Sequence, residues 1–183
     1  MIGIALLAII AIYGIIAYND LIRKNNQVTN AFGTIDVMLK KRFDLIPNLV
    51  ATVKQYAQHE SDTFTKITEL RTKSYDSMTN EEKTDFDRSF SQAQRHFFMV
   101  AENYPSLKAS DNFLQLQRTL NETEEQLSAS RRTYNACVTD YNNAVMTFPS
   151  NLIANIAHFK TKEVLTIPEE EKAVPNVKDL FRS

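Results

Sequence analysis

The strongest constraint lies at the start of the chain. From Ile2 to Tyr18 there is no charged residue, only apolar side chains with two glycines and two tyrosines. With Leu21 and Ile22 the stretch reaches roughly 20 residues, about 30 Å of helix, which matches the hydrocarbon thickness of a bilayer. The expectation is a transmembrane anchor over residues 1–22 in contact with membrane lipid. A cleaved secretory signal is the rival reading, but no Lys or Arg precedes the run, and the run is long for a signal's apolar core. Ala5, Ala8, Ala11, Gly14 and Ala17 recur at every third position. That spacing drifts around a helix of 3.6 residues per turn, so it makes no pairing stripe. Arg23 and Lys24 come directly after the run, and the positive-inside rule then places the rest of the chain in the cytoplasm.

Composition narrows the choices for the remainder of the chain. It has 183 residues in all, 43% of them hydrophobic and 23% charged, enough for one domain-sized core. A net charge of −1 gives no long-range attraction for nucleic acid, which is set aside as a partner. Three glycines and five prolines are few for the turns of a β-protein and favour helices. Cys137 is the only cysteine, so no internal disulfide can form.

Apolar residues then recur at steps of three and four: Val28, Phe32, Ile35 and Leu39, then Ile46, Leu49, Val53 and Tyr56, then Ile67 and Leu70. This is helical periodicity. Pro47 interrupts it, and proline is at home in a first helical turn, with Asp44 able to cap. Helices are therefore placed at 23–43 and 45–75, with one long kinked helix as the alternative. Thr79 with Glu82 three residues on is a capping box that opens a helix over 80–103, ended by Tyr104-Pro105-Ser106. Ser110 or Asp111 caps a long segment, 111–148, that stops at Pro149. A short helix over 151–159 and an extended tail over 160–183, carrying Pro168, Glu169 to Glu171 and Pro175, complete the chain. The expected fold is all-α: an N-terminal transmembrane helix followed by an up-and-down four-helix bundle with long helices over 23–159.

Within the long segment, Phe113, Leu120, Leu127, Tyr134, Tyr141 and Phe148 recur every seven residues, beside a second track of Gln117, Glu124, Arg131, Val138 and Val145. A charge facing a core costs several kcal/mol unless paired, so Glu124 and Arg131 should meet partners, with Asp36, Arg42, Asp44 and Arg71 as candidates. The alternative is a twisted seam whose polar members are partly solvated. A polar seam of Gln117, Glu124, Arg131, Asp36 and Arg42, extended by Asn135 and Asn142, would fix helix register. Leu152, Ile153, Ile156 and Phe159 fall on one side of the short helix. Four passes from the anchor would return this segment to the membrane, where those side chains would enter the lipid surface and Lys160 and Lys162 would reach headgroups. It would otherwise cap the bundle's open end, and three passes would leave it far from lipid.

The matching segments of a known family are Tyr18-Asn19, Ile35-Asp36-Val37, Leu39-Lys40-Lys41-Arg42, Asp44 to Val50, and Tyr56-Ala57-Gln58-His59-Glu60. They continue through Tyr104-Pro105-Ser106-Leu107-Lys108-Ala109, Leu116-Gln117, Thr123-Glu124, Arg131, Tyr134-Asn135, Tyr141-Asn142 and Phe148-Pro149. On these the chain closely resembles the LemA family of bacterial membrane proteins over nearly its whole length. Phe32 stands where that family usually has tryptophan, Met38 where it usually has glutamine, and Asn155 and His158 where glycines are usual. The resemblance implies a four-helix bundle on an anchor in the bacterial inner membrane. It supplies no catalytic, cofactor or metal residues.

The residues alone supply none either. Carboxylate-bridged metal pairs need Glu-x-x-His, and the residues three before His59, His96 and His158 are Tyr56, Ala93 and Asn155. His59-Glu60 opens like a zinc-protease motif, but Thr63 stands where the second histidine must be. Cys137 sits mid-helix, where a cysteine is ordinarily buried and inert. No enzyme activity, cofactor or metal is expected. The leading reading is a single-pass, membrane-tethered interaction or scaffolding protein that engages a protein partner or its own copies. A small-molecule-sensing bundle coupled to the anchor is the alternative.

Overall fold

The computed structural model describes residues 2–56 and 61–165, and every regular element among them is helical. In chain order these are α1 (Ile2–Tyr56), α2 (Ser61–Glu69), a 3-10 turn (Tyr75–Ser77), α3 (Asn80–Ala101), α4 (Pro105–Lys108), α5 (Asp111–Met146) and α6 (Ser150–Ile156). His59, Glu60 and the tail beyond 165 lie outside the described residues.

Pro47 does not turn the chain, contrary to the helix boundary expected at Asp44. α1 passes through it without interruption. A proline inside a helix costs about 3 kcal/mol through its missing N–H and ring clash. Pro47 stands on the exposed side of α1. The opposite side carries Leu39, Phe43, Ile46, Leu49 and Val53, all buried, in unbroken register across the proline. Each such side chain contributes roughly 1.5–3 kcal/mol of burial, so their sum exceeds the local cost. The expected 45–75 helix is accordingly divided among the end of α1, α2 and the 3-10 turn.

α3 begins at the capping box: the Glu82 N–H donates to Thr79 Oγ1 at 3.2 Å, and the Thr79 N–H donates to the Glu82 carboxylate at 2.7 Å. Lys73 donates to the same carboxylate at 2.5 Å, and these bonds hold the Glu82 carboxyl at about 2. At the start of α5 the Ser110 hydroxyl accepts from the Phe113 N–H at 3.3 Å, as an N-cap does.

The helices pack into two compact units, one made by the described residues up to Phe32 and from Ser130 onward, the other by Gly33–Ala129. In the second unit α1, α3 and α5 enclose Ile46, Leu49, Phe90, Phe97, Leu120 and Leu127, all buried. Phe43, Tyr75, Phe86 and Phe90 form a chain of ring contacts at 5.7–6.2 Å. In the first unit Val28 of α1 and Val138 and Tyr141 of α5 make the core, flanked by Tyr134, Cys137, Val145 and Phe159. Phe32, the residue in the family's usual tryptophan position, meets Tyr134 at 5.9 Å.

Candidate functional site

The Tyr-Asn pairs of α5 make the most distinctive constellation in the first unit. Seven residues advance a helix by about 10.5 Å, and three residues of extended chain advance by about 10 Å. The two periods match, and the chain after α6 uses the match. Asn142 donates its amide N–H to the Lys162 carbonyl at 2.8 Å and accepts the Lys162 N–H at 2.9 Å. One heptad away, Asn135 donates to the Leu165 carbonyl and accepts the Leu165 N–H, both at 2.8 Å. The neighbouring phenols repeat the step: Tyr141 donates to the Lys160 carbonyl at 2.9 Å and Tyr134 to the Glu163 carbonyl at 3.4 Å. A carboxamide carries both a donor and an acceptor, so it can satisfy both backbone groups of one residue as a neighbouring strand would. Burial pushes both phenols up, keeping them neutral donors. Asn135 and Asn142 thus hold an extended backbone, where the sequence had placed them in a side-chain layer between helices.

A second device delivers the chain to this ladder. α6 ends with His158 in the left-handed region, φ 58°. The Phe159 N–H reaches back to the Ala154 carbonyl at 2.9 Å and the His158 N–H to that of Asn155 at 3.2 Å. This is a Schellman cap with histidine where glycine is usual. Ala154 is fully buried beneath it. Phe159 then packs on Tyr18 of α1 at 6.0 Å and on Tyr141 at 6.5 Å. The apolar residues expected on one side of this helix divide: Ile153 and Phe159 are half-buried, while Leu152 and Ile156 are exposed. Lys162 lies with its ammonium 5.4 Å from the Tyr141 ring.

The second unit is held by charge. Arg42 of α1 is only 1% exposed. Its guanidinium pairs with the carboxylates of Asp87 on α3 and Glu124 on α5, with the Ser91 hydroxyl at 3.3 Å and the Phe90 ring at 5.3 Å. Six residues earlier on α1, Asp36 accepts from the Tyr75 hydroxyl at 2.8 Å and from the Lys83 ammonium at 2.6 Å. Burial raises the Asp36 carboxyl, but these donors outweigh it and leave it below the ordinary carboxylate range. Burial, then the Asp36 charge, drives the Tyr75 phenol far up.

The structure thus brings Arg42 and Glu124 together and puts Asp36 in a neighbouring cluster. Arg131 is buried in the first unit, and Gln117 is half-buried on α5. Asp44 pairs with Lys40 on the surface at 2.8 Å, and Arg71 lies over the Phe43 ring at 5.9 Å. Sequence reasoning missed Lys83, Asp87 and Ser91. Their spacing of four on α3 was a usable signal, because it puts them on one stripe. Among the described residues, no three His, Cys, Asp or Glu side chains gather in a group able to hold a metal. Clefts among the described residues include two that are half open. One of about 490 Å³ lies by Tyr13, Asn19, Asp20, Arg23, Ala144 and Ser150, the other of about 390 Å³ by Lys66, Glu69, Gln92 and His96.

The chain is similar to known proteins over most of its length. The LemA family model matches residues 31–178. Protein LemA of Metamycoplasma hominis is 26% identical over 165 residues, covering 86% of this chain and 75% of that protein. Magnetosome protein MamQ 2 of Paramagnetospirillum magneticum is 22% identical, covering 87% of this chain and 69% of its own length. Magnetosome protein MamQ of Magnetospirillum gryphiswaldense is 21% identical, with 89% and 70% covered. A family match spanning most of the sequence, on a chain whose first helix is long and apolar enough to cross a membrane, makes this a membrane-associated protein that belongs to the LemA family.

Proposed function

We propose that the chain is a membrane-tethered interaction or scaffolding protein without catalytic activity, anchored in the bacterial inner membrane with its helices on the cytoplasmic side. One observation carries this reading: the principal polar clusters of the two units bond to the chain itself. Asn135 and Asn142 bind its own backbone, and Arg42 is closed off by Asp87 and Glu124. A reaction centre or ligand site needs polar groups converging on enclosed space. Here they converge on one another, which suits a rigid surface offered to a protein partner or a second copy. The small-molecule-sensing alternative has less support, because the two clefts described above are half open and not enclosed.

Photo-crosslinking side chains placed at the exposed positions Val37 and Met99 in native membranes test the reading. It predicts discrete, position-dependent adducts of fixed mass. Diffuse adducts at every position, together with a cellular small-molecule fraction that raises the Tm of the purified protein, would favour sensing. Orientation is read with a cysteine at the exposed Asn112 in a Cys137→Ala background. A membrane-impermeant maleimide should label it only after the cells are permeabilised, and labelling of intact cells reverses the assignment.

A further inference from the structure

We propose that α6 and Phe148, two residues before it, form a second membrane contact, a wedge whose outer apolar edge enters the boundary between headgroups and acyl chains of the membrane that holds α1. The inference rests on the anchor reading of α1 and adds a lipid-binding surface to it.

The position of α6 is fixed by what its inner side touches. A Cβ at Gly14 would stand 3.7 Å from Ile153 Cδ1, and Phe159 packs on Tyr18. Gly14 and Tyr18 both belong to the charge-free run of α1. α6 is therefore seated beside the last turn of the charge-free run, Gly14 to Tyr18, within the segment that spans the bilayer. Gly14 lies four residues inside the end of that run, about 6 Å along the axis, and interfacial helices characteristically sink about 5–10 Å.

The outer edge carries what such a site requires. Phe148, Leu152 and Ile156 recur at steps of four and are 74%, 53% and 76% exposed, while Ala154 between them is fully buried. In water, large apolar side chains clustered on so short a stretch would be costly; at lipid they are stabilising. The exposed Lys160 comes soon after, and its long stem can carry an ammonium to anionic headgroups. α6 is seated against α1 at Gly14 and Tyr18, where α1 itself exposes Ile12, Ile15 and Ile16, so the bilayer that covers one is positioned to cover the other. A protein partner or a second copy would have to cover α6 while leaving α1 to lipid.

The chain contains no tryptophan, so single substitutions give clean reporters. Full-length Ile156→Trp, Phe148→Trp, Ile9→Trp and Asp140→Trp variants are reconstituted in vesicles of phosphatidylcholine and phosphatidylglycerol with brominated acyl chains. All four positions are exposed, so folding is little disturbed. The proposal predicts that Ile156→Trp and Phe148→Trp lose most of their emission to bromines near the glycerol end of the chain and resist aqueous iodide. Asp140→Trp should behave oppositely. Iodide quenching of Ile156→Trp with Ile9→Trp still lipid-quenched overturns the wedge alone, and iodide quenching of Ile9→Trp overturns the anchor reading as well. Protection of Ile156→Trp that needs no lipid bromine and grows with protein-to-lipid ratio assigns the edge to a second copy and also overturns the proposal.

Discussion

The two units fasten chain segments to their helices through polar side chains, with opposite chemistry. In the unit containing the apolar end of α1, which also buries Arg131, the ladder is made of neutral groups: two asparagine amides and two phenols bonded to an extended backbone. The other uses ions: Arg42 with Asp87 and Glu124, and Asp36 with Lys83. On the proposed anchor reading, solvation accounts for the difference. A charge beside a low-dielectric phase carries a desolvation penalty of several kcal/mol, whereas a satisfied amide carries almost none. The two devices also differ in sequence tolerance. An amide that binds backbone leaves the clasped side chains free to vary, while an ion pair fixes the identity of both partners.

This contrast can be broken from either side. The largest effect is expected at Arg42. Arg42→Ala strands two carboxylates and should destabilise the protein by about 3 kcal/mol, read as the shift in denaturant-induced unfolding. Asn142→Ala removes two bonds to Lys162 and should loosen that rung by about 2 kcal/mol, on the order of 30-fold faster amide exchange at Lys162. Exchange in α3 should stay unchanged. His158→Gly relieves a left-handed backbone and should stabilise the protein by about 1 kcal/mol, visible as a higher Tm; a lower Tm would mean that the histidine side chain contributes more than its strain costs.

The smallest effect is that of pH, which should act on one unit alone. Asp36 and Glu82 have folded values below their ordinary 3.8 and 4.5. Their contribution is therefore complete above about pH 4.5 and is lost as pH falls toward 2. Amide exchange should accelerate in α3 over that window, beyond its intrinsic pH dependence, and the tyrosine–asparagine ladder should keep its protection. Equal loss in both units would remove the distinction.

Much of this was legible in the residues. The charge-free run named the first helix, Thr79 with Glu82 marked the start of α3, and the heptad of α5 placed Tyr134, Asn135, Tyr141 and Asn142 on one side. Three things were not. Pro47 is a strong local breaker, and only the burial of Ile46, Leu49 and Val53 across it shows that tertiary packing overrides it. The partners of Asn135 and Asn142 are main-chain groups of residues 162 and 165, and every residue offers the same main-chain groups, so composition carries no trace of them. The turn at His158 was masked because the residue that adopts it is not the glycine its backbone angle favours.

The claim that joins these points is that α1 passes from lipid into water between Tyr18 and Asn26. A cysteine scan in nanodiscs, in a Cys137→Ala background, reads this directly through the rate of reaction with a polar maleimide at the exposed positions Ile9, Ile12, Asn26 and Thr29. The account predicts a step, with Asn26 and Thr29 modified readily and Ile9 and Ile12 protected until the nanodisc is dissolved. Uniform reactivity along the helix would contradict it.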